Sequence, residues 1–188
     1  HNRLKAPILE RTRAVLAQAG LPVVMLPGNH DPLMTGSVWD RGALGTIENV
    51  HILGEVSHTV SFDDLDLDIW GRAHEDYNDI NPLAGAPARS ARRHIVAGHG
   101  HFAEERTPAG TPGPSWLFTP DDISATGADY VALGHWNRQI QVGNGDIPAW
   151  YSGSPDFAGT VNVVRLKPSG PVDVSHAPVE GAPIAPGS

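Results

Sequence analysis

The sequence predicts an α/β fold, and the prediction rests on three short strand-like runs and on the helices between them. Residues 23–26, 94–97 and 130–133 are largely apolar, and each run stops at a loop that contains glycine. Such runs are typical of strands that are buried on both faces of an α/β sheet. Amphipathic or capped helical segments precede the first and the third run, so helices and strands alternate along the chain.

The composition is that of a soluble, globular protein of one domain. The chain has 188 residues, of which 40% are hydrophobic and 18% are charged, which is too apolar for a disordered protein. Its 21 glycines and 17 prolines predict many short elements joined by loops. The formal net charge of -8 gives no support for a nucleic acid partner, although a local basic patch or bound divalent cations can offset an acidic average.

Cysteine is absent, which excludes a disulfide framework, a thiolate zinc site and a cysteine nucleophile. No apolar run approaches the roughly 18 residues of a membrane span, and no signal peptide opens the chain, so we expect a cytoplasmic protein with no membrane partner. The ten histidines are the unusual feature of the composition. Clustered histidines in a chain without cysteine indicate metal ligation or acid–base chemistry.

The first elements follow from residues that begin or end helices and strands. Residues 5–19 have the apolar spacing of an amphipathic helix, with Pro7 suited to its first turn and Gly20 to its end. Residues 23–26 then form the first apolar strand, which is bounded on both sides by proline. The loop 27–32 follows at once, and its sequence is Pro-Gly-Asn-His-Asp-Pro.

The later elements are short. Residues 50–70 alternate between apolar and polar side chains, which predicts antiparallel strands with one face in water. A helix is expected to begin near Thr119, where acidic residues follow, and to end at Gly127. Further strands are expected at 139–142, 149–152, 161–167 and 172–175. Segment 103–118 predicts a surface loop, and a domain over 1–176 is expected to precede a disordered tail at 177–188.

Histidine or asparagine follows each of the three apolar strands directly. These side chains are Asn29 and His30 after the first strand, His99 after the second, and His135 and Asn137 after the third. Ligands of α/β sheets bind at the carboxyl ends of the strands, so these loops are expected to converge. A glycine beside each one permits a sharp turn or a close approach of the backbone. Imidazole nitrogen and amide oxygen suit manganese, iron, zinc or cobalt, so the pattern predicts a metal site.

Each loop also has a simpler interpretation when it is taken alone. A single histidine at a strand end is commonly a polar residue at the mouth of a loop. Gly-Asn-His-Asp can be a turn, since asparagine and aspartate tolerate left-handed geometry. The agreement of three such loops in one chain favours the metal site. The histidines without such a setting are expected to be structural or exposed; they are His51, His58, His74, His94 and His176.

Residues 28–31, Gly-Asn-His-Asp, resemble the third motif of the calcineurin-like metallophosphoesterases. His99, at the end of an apolar strand, corresponds to their fourth motif, a single histidine. Residues 134–137, Gly-His-Trp-Asn, resemble their fifth motif, Gly-His-x-His. The stretches 129–136 and 149–155 further resemble the SbcD-like branch of DNA-repair exonucleases. The order and the approximate spacing of the motifs agree over nearly the whole chain.

The resemblance implies a layered αββα sandwich of two mixed β-sheets flanked by helices. The first two family motifs, Asp-x-His and Gly-Asp-x-x-Asp, do not occur where the family has them. We therefore expect the metallophosphoesterase core 1–176 to lack an N-terminal βαβ segment that carries part of the metal site. Loss of those strands would expose a sheet edge, which could form a homodimer.

Carried over residue by residue, the resemblance assigns metal-binding roles to four side chains: Asn29, His99, His135 and Asn137. Asn137 stands where the family usually has its last histidine, and it would serve the second of two metal ions. The resemblance implies that these are two Mn²⁺ ions, with Fe or Zn as alternatives, and that they activate a hydroxide for attack on phosphorus. It implies that His30 lies beside the scissile phosphate, where it protonates the leaving oxygen or stabilises charge on the phosphoryl group, and that Asp31 orients it.

The predicted function is metal-dependent hydrolysis of phosphodiesters or phosphomonoesters, with a nucleic acid or a small phosphodiester as the substrate. The branch resemblance favours a nuclease, whereas an acidic chain with two lysines offers little surface for DNA. The alternative is a catalytically impaired scaffold that binds a partner or a nucleotide, since Asn137 and the absent aspartates weaken the site. By itself, this chain is expected to be inactive. A zinc hydrolase of another fold would need a helical His-x₃-His pair, which the sequence lacks.

Overall fold

The structure is a computed structural model, and it describes residues 2–108 and 111–180. The helices are α1 (Ala6–Ala17), α2 (Val38–Arg41), α3 (Pro120–Ala125) and α4 (Pro155–Ala158). The strands are β1 (Val23–Met25), β2 (Val50–Ile52), β3 (Thr59–Phe62), β4 (Leu67–Gly71), β5 (Arg93–His99), β6 (His101–Phe102), β7 (Leu117–Phe118), β8 (Tyr130–Gly134), β9 (Ile140–Val142), β10 (Ala149–Tyr151), β11 (Thr160–Arg165) and β12 (Asp173–Pro178).

Six strands form one mixed sheet in the order β3-β4-β5-β8-β10-β9. The four central strands run parallel to one another, and β3 and β9 pair antiparallel at the two edges. In the register of β5 and β8, His99 lies opposite Gly134, so both strands end at the same edge of the sheet. This mixed sheet with its helices confirms the predicted α/β class, and β3 and β4 confirm antiparallel strands within 50–70.

The remaining strands of the described residues form small sheets of two strands each. Strands β1 and β2 are parallel, β6 and β7 are parallel, and β11 and β12 form an antiparallel pair. Strand β1 therefore lies outside the large sheet, although it is one of the three apolar strands that precede a histidine loop. The loop after β1 must reach the other two loops from a different sheet.

The central strands are fully buried on one face only, which differs from the predicted burial on both faces. Val96 and Val131 have no exposed surface, whereas their neighbours Ala97 and Ala132 are half-buried. The half-buried residues line a groove of about 370 Å³ that Leu26 and residues of β10 and β11 also line. The small sheets thus cover this face of the large sheet incompletely.

The helices begin and end where local chemistry satisfies their terminal groups. Helix α1 has proline in its first turn and ends at Ala17, two residues before the predicted end. In helix α3, Asp122 Oδ2 accepts hydrogen bonds from Thr119 N (2.8 Å) and Thr119 Oγ1 (2.9 Å), which satisfies donors at the helix start. Helices α2 and α4 have four residues each, and the sequence patterns did not predict them.

Arg93 of β5 forms a nearly buried ion pair within the large sheet and also bonds to the β11–β12 hairpin. Arg93 Nη1 lies 2.9 Å from Asp129 Oδ1, and the two side chains are 9% and 14% exposed. Arg93 Nε also donates to the carbonyl oxygen of Lys167 (3.0 Å), which lies beyond the end of β11. Because both charges are nearly buried, each depends on the other for its stability.

Two predictions concern the chain end and membranes. Strand β12 continues to Pro178, so the first two residues of the predicted tail 177–188 belong to a strand, and 181–188 lie outside the described residues. Across the described ranges, no helix combines the length and the apolar character that a membrane crossing requires.

Candidate functional site

The three predicted loops meet at one edge of the large sheet. His99 ends β5, and His135 comes directly after β8, so parallel pairing alone brings these two residues side by side. Asn29 arrives from the separate sheet of β1, and its Oδ1 accepts a hydrogen bond from His99 Nε2 at 2.8 Å. Asn29 is 7% exposed, so this bond joins two largely buried side chains across 70 residues of sequence.

Two glycines make room for the His99 ring. A Cβ atom at Gly28 would lie 2.7, 2.8 and 2.9 Å from three atoms of the ring, and one at Gly134 would lie 2.8 Å from its Nδ1. Neither glycine has a positive φ, so the requirement is for space rather than for an unusual backbone conformation. The glycines that the sequence places beside the histidines therefore allow the backbone to approach His99 closely.

His135 has a strained backbone. Its φ is 111°, a value that side chains with a Cβ rarely adopt. Such residues cost roughly 1–3 kcal/mol each and persist where the surrounding structure holds them. The strain places the His135 ring 5.5 Å from the His99 ring, measured between centroids.

The site contains more histidines than the three loops supply. The His74 ring lies 5.6 Å from His99, and the His101 ring lies 6.1 Å from His135. Trp116 packs edge-on against both sides of this cluster, 5.5 Å from His74 and 6.0 Å from His135. We call the group of His74, His99, His101 and His135 the histidine cluster.

Burial keeps three members of the histidine cluster uncharged at neutral pH. Burial, aided by the neighbouring His74, His135 and His30, lowers the pKa of His99 to about 3. The pKa of His135 is lowered by burial and then by His101, and that of His74 is lowered chiefly by burial. Neutral imidazole is the form that binds metal ions, because the lone pair of the unprotonated nitrogen is available.

Like His101, His74 is a member of the histidine cluster that the sequence interpretation missed. It was expected to be structural or exposed, yet it is 1% exposed and its Nε2 donates to the main-chain oxygen of His99 at 2.8 Å. Its Nδ1 is buried and has no hydrogen-bond partner among the described residues. His74 follows β4, which is the parallel neighbour of β5, so only the pairing of those strands could have revealed its place.

His30 and Asp31 lie at the mouth of the site. His30 is exposed, directly after the buried Asn29, and its main-chain oxygen accepts from Asn2 N at 3.2 Å. Asp31 Oδ1 accepts from Gly28 N at 3.1 Å, which fastens the turn that carries His30. Asp31 thus fixes the backbone of the predicted catalytic residue.

Asn137, the fourth predicted metal ligand, bonds through its main chain to the residue that precedes helix α4. Its main-chain oxygen accepts a hydrogen bond from Ser154 N at 2.9 Å, beside helix α4. Its side chain is exposed, and no hydrogen bond or ring contact among the described residues joins it to the histidine cluster. The contacts of the described residues therefore bring together Asn29, His99 and His135, and the role of the Asn137 side chain stays a prediction.

The donor set fits part of a metal site. Two neutral imidazoles and one amide oxygen suit a borderline cation such as Mn²⁺ or Zn²⁺. The orphaned Nδ1 of His74 is a further buried nitrogen in the same cluster. Over residues 2–108 and 111–180, however, no group of three or more histidine and acidic side chains is arranged to hold a metal ion. A complete site needs donors besides these, and a carboxylate would balance the charge of the cation.

The fold and the site define an α/β protein with a histidine-rich centre at the end of a parallel sheet. No family model matches the chain, and no curated protein matches it. A solved crystal structure without a functional name shares the fold, with a TM-score of 0.60 and 14% identity. The match covers 90% of this chain and 71% of that one. At this identity, the likeness supports the fold alone.

Proposed function

We propose that this chain is the core of a metal-dependent hydrolase that cleaves phosphodiesters or phosphomonoesters. The proposal includes the αββα sandwich, in which the small sheets pack over the half-buried face of the large sheet. The observation that carries it is the meeting of Asn29, His99 and His135 at one sheet edge, with His99 held neutral by burial. The exposed His30 beside this group supports an acid–base role.

The residues of the chain have separate tasks in this proposal. Asn29, His99 and His135 hold a divalent cation, for which we expect Mn²⁺. Such a cation, when bound, polarises a phosphoryl oxygen and supplies a nucleophile from water at neutral pH. His30 gives a proton to the leaving oxygen of the ester. Asp31 holds the turn between Gly28 and Asp31, so that the His30 ring stays at the mouth of the site.

A second candidate is a scaffold that binds phosphate esters without hydrolysing them. Two observations favour it. Among the described residues, no group of three or more histidine and acidic side chains is placed to hold a metal ion, and the side chain of Asn137 makes no hydrogen bond or ring contact to the histidine cluster. The two candidates agree on binding and differ only in turnover.

Manganese binding and ester hydrolysis are the tests. The full chain is titrated with Mn²⁺ by calorimetry, and hydrolysis of bis(p-nitrophenyl) phosphate is followed by absorbance. We expect His99→Ala to abolish Mn²⁺ binding. We expect His30→Ala to bind Mn²⁺ normally and to lose roughly 10²–10⁴-fold in hydrolysis, the usual share of a general acid. His176→Ala is the matched control, because His176 lies on β12, outside the histidine cluster.

The outcomes separate the candidates. Binding of Mn²⁺ together with hydrolysis that depends on His30 supports the hydrolase. Binding that depends on His99 without any hydrolysis supports the scaffold as the function of this chain by itself, and it overturns hydrolysis by this chain alone. A chain that binds no Mn²⁺ overturns both as functions of these residues, and loss of Mn²⁺ from His30→Ala would overturn the acid–base role of His30.

A further inference from the structure

A second cavity opens beside the histidine cluster, on the exposed side of His30. Its volume is about 460 Å³, and it is lined by Asn2, Arg3, His30 and Tyr77. That volume lies within the range of small-molecule binding sites. The cavity combines a guanidinium, an imidazole and an aromatic ring, and we call it the Arg3–Tyr77 pocket.

The wall that carries Arg3 is fixed to the body of the protein. Asn2 N donates to the main-chain oxygen of His30 at 3.2 Å, and Asn2 Oδ1 accepts from Val38 N at 3.0 Å. Arg41 Nη2 donates to the main-chain oxygen of Asn2 at 2.6 Å. These bonds hold the backbone beside Arg3 against the turn of His30 and against helix α2. The backbone of Arg3 therefore has a defined place next to the turn of the predicted catalytic acid, and its side chain lines the same cavity as His30.

The wall that carries Tyr77 is tied to the histidine cluster. Trp116 Nε1 donates to the main-chain oxygen of Asn78 at 3.0 Å, and Trp116 N donates to a carboxylate oxygen of Asp79. The same Trp116 packs against His74 in the cluster. Tyr77 itself is 61% exposed, although the residues that follow it are anchored. Its ring is thus available to a ligand.

We propose that the Arg3–Tyr77 pocket selects phosphoesters whose alcohol part carries a planar ring. The guanidinium of Arg3 contacts a phosphoryl oxygen, because guanidinium groups bind phosphate through several N–H donors. The ring of Tyr77 stacks on the planar ring of the alcohol, which places the ester oxygen beside His30. A nucleoside and a simple aryl alcohol share this chemistry. The proposal rests on the proposed function for the identity of the phosphate group, and the pocket adds the preference for a ring.

The test compares binding of three esters to the full chain by calorimetry in the presence of Mn²⁺. The probes are phenyl phosphate, thymidine 5′-monophosphate and ethyl phosphate, which differ in the ring and share the phosphate. We expect both ring-bearing esters to bind more tightly than ethyl phosphate, by roughly 5- to 150-fold, the range for stacking of a base on an aromatic side chain. If the thymidine ester binds more tightly than phenyl phosphate, the preferred alcohol part is a nucleoside. If phenyl phosphate binds more tightly, the preferred alcohol part is a simple aryl group.

Variants of the lining residues test whether the preference for ring-bearing esters comes from the Arg3–Tyr77 pocket. Tyr77→Ala is expected to remove the preference for a ring, and Tyr77→Phe is expected to keep it. Arg3→Gln should weaken the binding of all three esters to a similar extent. Phe157→Ala and Arg11→Gln are the matched controls, because both residues are exposed and lie outside the pocket. Thermal melting confirms that each variant is folded.

The result distinguishes failure of this proposal from failure of the proposed function. Equal affinity for ethyl and ring-bearing esters, or a ring preference that survives in Tyr77→Ala, overturns the role of the pocket even where hydrolysis is found. A ring preference that depends on Tyr77 supports the pocket even where hydrolysis is absent, since binding is measured without turnover.

Discussion

Replacing Gly28 by alanine tests whether the site depends on the close fit of the His99 ring. The new Cβ would lie 2.7–2.9 Å from three ring atoms, whereas carbon atoms in contact are about 3.5–4.0 Å apart. The ring must therefore move by roughly 0.7 Å or more. Gly134 touches the ring as well, so movement in that direction meets backbone.

The movement has two measurable consequences. The bond of 2.8 Å between His99 Nε2 and Asn29 Oδ1 would lengthen to about 3.5 Å, beyond a normal hydrogen bond. We expect the free energy of unfolding to fall by about 1–3 kcal/mol, the usual cost of adding a methyl group to a packed site. Affinity for Mn²⁺ should fall by roughly 10- to 100-fold, as for other changes that misplace a metal ligand.

Urea denaturation, followed by tryptophan fluorescence, measures the loss of stability. Proton–nitrogen NMR spectra of the histidine rings report the Nε2–H of His99, and calorimetry reports the binding of Mn²⁺. Gly36→Ala is the matched control, because a Cβ there meets no atom within 4 Å although φ is 77°. Gly36→Ala should lower the free energy of unfolding through backbone strain, and it should leave the NMR spectrum of His99 unchanged. An unchanged His99 spectrum and wild-type stability in Gly28→Ala would refute the close fit.

Three further predictions concern stability. In EDTA, the free energy of unfolding should fall by about 1.6 kcal/mol or more between pH 6.5 and pH 5, because burial holds the folded pKa of His99 at about 3 and the unfolded chain takes up the proton first. Urea denaturation at both pH values measures this loss, and His99→Gln should reduce it; equal losses in both proteins would contradict the assignment. His135→Gly should be more stable than His135→Ala by about 1–3 kcal/mol, because glycine relieves the φ of 111°; equal melting temperatures would show that the backbone is relaxed. Asp129→Ala should cost about 3–5 kcal/mol by leaving Arg93 buried without its partner. The control Asp173→Ala, which removes a half-exposed ion pair, should cost less than about 1 kcal/mol, and similar costs for the two changes would show that burial is unimportant.

Patterns that depend on neighbouring residues were predictable from the sequence. The strands β1, β5 and β8 were predicted because apolar runs end at proline or glycine, and α1 and α3 because their first turns carry proline or a cap. The meeting of His99 and His135 followed from the rule that parallel strands end at one edge, whereas Asn29 reaches them from another sheet.

Features that depend on pairing and packing were not predictable in this way. The placement of β1 in a separate sheet needs the partner of each strand, which a single sequence does not contain. His74 joins the cluster only because β4 pairs with β5. It lies three residues after the end of β4, where no sequence pattern marks it as a site residue. Helix α2 has four residues, too few for an apolar period to be visible.

The contact between Asn29 and His99 forms only when both sheets are folded and packed together. The two residues are 70 positions apart and belong to different sheets, so no short stretch of the chain can hold a ligand by both. A ligand that binds both residues selects the folded chain, and at 100 times its dissociation constant it adds about 2.7 kcal/mol to stability. Amide hydrogens outside the cluster, such as those of β2, should therefore exchange more slowly when the site is occupied, because their exchange requires the opening that the ligand opposes.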